Sequence, residues 1–205
     1  MLGNTVVELF KGVFPSLFLF TIIVTSLRTA YLVHNKADFV LYKELFSLGF
    51  ILYLMFLFYV VTFQDVDWST SNFVPFHEIF RYKFGSRLFI KNILGNMILF
   101  MPFGFFIGHY IRTMKYSIAF ILCLLISIAI EVTQLMIGRV FDIDDILLNV
   151  LGGLVGFTFY VFICKVRNKL PSFFRSDLFY NICVIIILIV IILYLVNFIC
   201  SGGMC

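Results

Sequence analysis

Residues 117–164 read SIAFILCLLISIAIEVTQLMIGRVFDIDDILLNVLGGLVGFTFYVFIC, two apolar runs joined by a polar knot. Each run is close to the roughly 20 residues that an α-helix needs to cross the hydrocarbon layer. Lipid offers no hydrogen bonds to a backbone, so a run of this kind satisfies its own N–H and C=O groups as a helix. The connection between the runs is short, which makes the two helices antiparallel neighbours.

Outward from this pair, four more apolar runs give six candidate spans at 13–33, 45–63, 93–110, 117–137, 144–164 and 178–200. The whole chain is consistent with this pattern: 205 residues, 62% hydrophobic and 13% charged, with a mean hydropathy of +1.10. A soluble domain carries about 25% charged residues. The expected fold class is therefore all-α, a polytopic transmembrane helical bundle of about six spans forming a single transmembrane domain over residues 1–205. The run beginning at Val13 lacks a strongly basic leader and a small-x-small cleavage site, so it reads as a retained helix.

Lys and Arg in the connections bear on orientation. With the N-terminus outside, the inner connections hold Lys36, Lys43, Arg112, Lys115, Lys165, Arg167, Lys169 and Arg175, and the outer ones Lys11, Arg81, Lys83, Arg87, Lys91 and Arg139. The excess of basic residues inside places both termini on the extracytoplasmic side of the cell membrane. The connection after the second span and the turn at 138–143 then share the outer side.

A carboxylate at a helix centre in a membrane costs about 2.5 kcal/mol or more, so charges retained there pair or work. Glu131 and Gln134 are three apart and share a helix face, as do Asp145 and Asn149, four apart. Those faces can meet each other and the Asn92 and Asn96 face of the third span. Arg139 is the natural counter-charge, its rigid fork suited to a carboxylate of the turn or to a phosphate headgroup. Candidates for catalysis are Glu131, Arg139, Asp142 and Asp145. Candidates for ligand binding are Asn72, Asn92, Asn96, Glu131, Gln134, Arg139, Asp145 and Asn149.

Plainer roles compete for several of these residues. Asp142 and Asp144 precede a helix and can cap its free N–H groups. Glu131 can be a proton-handling acid or the buried partner of Arg139 or Arg28. Arg28 itself sits near a span end and is expected to snorkel. The asparagines can act as interhelical glue. Gly152, Gly153 and Gly156 form a small face for close helix packing, joined in a structural role by Gly104. Pro102 is expected to kink the third span midway. The segment from Asn72 through Pro75 to Phe76 reads as a half-buried lid or anchor, or as a plain turn.

Metal and cofactor chemistry finds little support. His34, His77 and His109 are dispersed without zinc-ligand spacing. Asp142, Asp144 and Asp145 offer hard oxygens without the spacing of a calcium loop. No cofactor motif, phosphate-binding glycine loop or basic aromatic groove for nucleic acid is present. Cys123, Cys164, Cys183, Cys200 and Cys205 include no C-x-x-C pair and read as small residues of apolar segments.

The polar segments form a recognisable set: N-x-x-P-F at Asn72–Phe76, N-x-x-x-N-x-x-x-F-x-P-x-G at Asn92–Gly104, and E-x-x-Q-x-x-x-x-R-x-x-D-x-D-D-x-x-x-N-x-x-G at Glu131–Gly152. Together they resemble the VanZ-like family, named for a membrane protein associated with teicoplanin resistance. The resemblance covers roughly residues 45–164, a core of four helices with an added span at each end. It implies an envelope protein that lowers susceptibility to glycopeptides, with membrane lipids and a lipid-linked wall precursor or the drug as partners. A membrane enzyme acting on a lipid or polyprenyl-phosphate headgroup, with Glu131 as acid or base, is the alternative. A transporter is disfavoured, because the polar residues gather at one level and no repeated halves are evident.

Overall fold

A computed structural model describes residues 2–63, 72–81, 85–86 and 89–201. Its α-helices are α1 (Leu2–Asn35), α2 (Leu41–Phe63), α3 (His77–Arg81), α4 (Gly95–Ile111), α5 (Tyr116–Met136), α6 (Ile143–Lys169) and α7 (Asp177–Ser201). A π-helical turn at Ile90–Leu94 leads into α4, and a 3₁₀ turn at Ser172–Arg175 precedes α7. Among the described residues six helices are long and apolar enough to cross a membrane: all but α3. Their span limits fall within a few residues of those expected from hydropathy. The chain is an all-α, multi-pass membrane protein.

The helices divide into two compact units. The first comprises Met1–Leu52 with Val166–Cys205. Its two long helices, α1 and α7, expose apolar side chains along their length, such as Phe14, Phe18, Ile187 and Leu193, as helices bathed in acyl chains do. Polar contacts tie this unit together at the start of α2. Lys43 Nζ lies 2.8 Å from Asp177, the Tyr42 hydroxyl donates to Asp177 at 2.9 Å, and the Tyr42 N–H donates to Asn181 Oδ1 at 3.0 Å. Arg28, expected to snorkel, has a protein partner as well. Its guanidinium grips Glu44 with two bonds of 2.7 and 2.8 Å, because a forked donor within reach of a carboxylate gains a paired charge-assisted contact.

The second unit, Tyr53–Lys165, contains the polar knot. Phe100, Ala119, Cys123 and Phe157 are fully buried at its centre. Close approach of α4 and α6 depends on small residues from both sides. A Cβ on Gly104 would strike the backbone carbonyl of Gly153, one on Gly152 that of Met97, and one on Gly156 that of Met101. A Cβ on Gly153 would also strike the Cys123 sulfur, so the small Cys side chain brings α5 onto the same seam. Without a hydrophobic drive between helices in lipid, this backbone-to-backbone packing is a main source of association.

Pro102 lies inside an unbroken α4, and the irregular turn falls earlier, at Ile90–Leu94. The Tyr53 hydroxyl donates to the Leu99 carbonyl at 3.0 Å, which adds a fixed polar contact on α4 just before the proline.

Candidate functional site

The end of α5 sets the site. After Met136 the chain leaves the helix through Gly138, whose φ of +83° suits glycine alone among common residues. The Gly138 N–H donates to Leu135 O at 3.1 Å and the Arg139 N–H to Gln134 O at 2.9 Å. This pair of bonds is the Schellman termination of a helix. It turns the backbone back so that residues 141–144 pass beside Glu131.

Glu131 is 1% exposed, and its Oε2 accepts the Asp142 N–H at 3.0 Å. The carboxylate thus fastens the turn that follows its own helix. Four residues earlier on the same face, buried Ser127 accepts a bond from Asn149 Nδ2 at 3.1 Å. On α6, Asp145 accepts a bond from Asn96 Nδ2 of α4. Asn96, Glu131, Gln134, Asp145 and Asn149, from three helices, line one cavity with Leu57, Val61 and Phe100. Its volume is about 30 Å³, room for about two waters at 10–15 Å³ each.

The remaining acids face elsewhere. Asp142 Oδ1 accepts the Asp144 N–H at 2.9 Å, the geometry of an N-cap on α6, and also accepts from Asn72 Nδ2 at 2.9 Å. Asp142 is thus both a helix cap and a tether. Asp144, also 1% exposed, reaches beyond its own helix. It accepts the N–H groups of Phe76 and Ile79, capping α3 from outside. Asn72 pairs with residues 141–143 through two backbone bonds, Asn72 N–H to Phe141 O at 2.9 Å and Ile143 N–H to Asn72 O at 3.1 Å. Pro75 and Phe76 are the central residues of a turn closed by the His77 N–H on Val74 O, with Phe76 at φ +69°. A non-glycine residue in that region is strained, and the Asp144 bond holds it there. The segment is therefore a turn tethered at both ends. Phe73 and Phe76 are exposed, not half-buried as expected.

Arg139 departs from expectation. Its Nη1 donates to the Val61 carbonyl at 2.6 Å, and among the described residues it makes no ion pair with a carboxylate. Val61 lies in the last turn of α2, where carbonyls lack helical partners and a guanidinium is well placed. Asn92 sits half-buried in the turn before α4 and is not among the cavity-lining residues. Among the described residues no group of three acidic, His or Cys side chains is arranged to hold a metal ion.

Sequence reasoning passed over Ser127, although it lies one helical turn before Glu131, a spacing that marks the same face. It also assigned Asp144 to ordinary capping. Ser127→Ala is expected to cost about 0.6 kcal/mol, the average for an interhelical polar contact in a membrane, when unfolding in detergent is followed by circular dichroism.

Comparison with known proteins bears on the same region. No curated protein and no solved structure matches the chain. A family model described as VanZ/LLP1 matches residues 45–165, more than half of the chain, and includes every residue of the cavity. The chain belongs to the VanZ/LLP1 family.

Proposed function

We propose that this protein resides in the bacterial cell membrane with both termini outside and lowers susceptibility to glycopeptides such as teicoplanin. In this reading its cavity binds a polar group of a membrane lipid or lipid-linked wall precursor. The observation that carries the cavity's part is the convergence of Glu131, Asp145, Asn96, Gln134 and Asn149 from three membrane-crossing helices. Carboxylates and amides brought together in a low-dielectric layer favour donors such as ammonium, hydroxyl and amide N–H groups.

Size argues against the drug as the occupant. Pockets for drug-sized ligands measure about 300–1,000 Å³, against about 30 Å³ here. The cavity suits a terminal group, with the rest of the ligand in lipid. Teicoplanin susceptibility of cells with and without the gene tests the reading. Lower susceptibility in cells carrying the gene is expected, and equal susceptibility refutes the resistance role.

The enzyme alternative draws on two carboxylates, Glu131 and Asp145, facing one cavity, an arrangement suited to acid and base work. It loses its proposed phosphate-binding residue, because Arg139 is engaged with Val61 and does not line the cavity. Release of headgroup from lipid by the purified protein, absent in Glu131→Gln, would favour the enzyme.

A further inference from the structure

The strap at residues 72–81 combines features that the cavity does not explain. It is pinned from below, with Asn72 bonded to Phe141, Asp142 and Ile143, and with the N–H groups of Phe76 and Ile79 on Asp144. Above those tethers it turns large apolar side chains outward. Phe73 is 68% exposed, Val74 63%, Phe76 52% and Phe80 82%. A surface loop in water has no reason to hold so many apolar groups outward while a buried carboxylate, Asp144, and a half-buried one, Asp142, are committed to holding it in place.

Its level in the molecule identifies what covers it. The tethering residues 141–144 open α6, which crosses the membrane, and directly follow α5, which ends at Met136. The strap therefore lies at the rim of the membrane-crossing layer, where lipid headgroups meet acyl chains. Met136, the last residue of α5, is also apolar and 82% exposed. Charge agrees with the placement. Exposed Arg81 closes α3, and the sequence from Asn72 to Asn92 carries Arg81, Lys83, Arg87 and Lys91 against Glu78 alone. Apolar side chains followed in the sequence by a run of basic ones are the composition of a segment that lies in the interface.

We infer that the strap is an interfacial anchor, inserting Phe73, Val74, Phe76 and Phe80 at the headgroup–acyl boundary of the leaflet next to the cavity rim. Asp144, through two backbone N–H groups of the strap, and Asp142, through the Asn72 side chain, fix the angle of insertion. The anchor does not depend on what the cavity binds.

The test uses the full chain in phospholipid vesicles containing phosphatidylglycerol. Trp68, the chain's one tryptophan, is first replaced by phenylalanine, and a reporter is then introduced as Phe80→Trp or, separately, Phe73→Trp. Fluorescence is read with lipids brominated near the headgroup end or near the methyl end of their acyl chains, and with aqueous iodide. The expected result is about twofold quenching by the shallow bromines, with weaker quenching by the deep bromines and by iodide. Quenching by iodide without quenching by bromolipid means the strap faces water, and protection from all three means it is covered by protein. Either result overturns the proposal, as does stronger quenching by the deep bromines. Two reporter positions, each checked for an unchanged unfolding temperature, guard against a variant that fails to fold.

Discussion

Gly104→Val is expected to abolish stable folding, at a cost of about 3 kcal/mol or more. The reason is geometric. A Cβ at Gly104 meets the Gly153 backbone carbonyl, and backbone cannot rotate aside as a side chain can. The α4 and α6 backbones would have to separate along the seam that Gly152 and Gly156 also build, and the Cys123 contact with Gly153 would open with them. Gly49 in α2 provides the comparison, because a Cβ there meets nothing within 4 Å. Gly49→Ala is expected to be neutral or stabilising by about 0.5–1 kcal/mol, the usual gain from alanine over glycine in a helix. Yield of monodisperse protein and unfolding temperature in detergent distinguish the two. Equal stability of both variants would show that the seam does not exist as described.

Asp144→Ala is expected to cost about 3 kcal/mol, since two backbone N–H groups lose a charged acceptor. The loss should be local as well as global. Without Asp144 the strained left-handed Phe76 loses its tie to α6, so the strap should become the first site of proteolytic cleavage. Asp144→Asn keeps an acceptor oxygen for one of the two N–H groups, which bond different carboxylate oxygens, and should cost less than the alanine, about 1–2 kcal/mol. Limited proteolysis with mass analysis of the fragments reads both effects. A cleavage pattern for Asp144→Ala identical to that of the unaltered protein would show that Asp144 does not tether the strap.

Much of this architecture was legible in the sequence. Hydropathy alone delimits the six membrane-crossing helices, because lipid leaves a chain no other way to satisfy its backbone. The face shared by Glu131 and Gln134 and that shared by Asp145 and Asn149 follow from helical spacing, and both line the cavity. The roles within the acidic turn were not legible. Asp144 and Asp145 are neighbours on α6, so their side chains point about 100° apart. One meets the strap and the other Asn96, and which is which depends on how α6 is rotated against α4. The glycine seam fixes that rotation, and it is a tertiary property. Arg139 escaped for a related reason: its direction is set by the Gly138 reversal, which aims it at the end of α2 and away from the acids. Charge alone suggested a carboxylate partner, and backbone geometry supplied a carbonyl.

Under the proposed function, the cavity lined by Glu131 and Asp145 is where the protein's work is done. Glutamine at 131 retains an oxygen acceptor for the Asp142 N–H and removes only the charge, so it separates function from folding. The direct measurement is teicoplanin susceptibility of cells producing the unaltered protein, Glu131→Gln or Asp145→Asn at matched membrane levels. Both variants are expected to leave cells as susceptible as those lacking the gene. Full protection by both variants would contradict it.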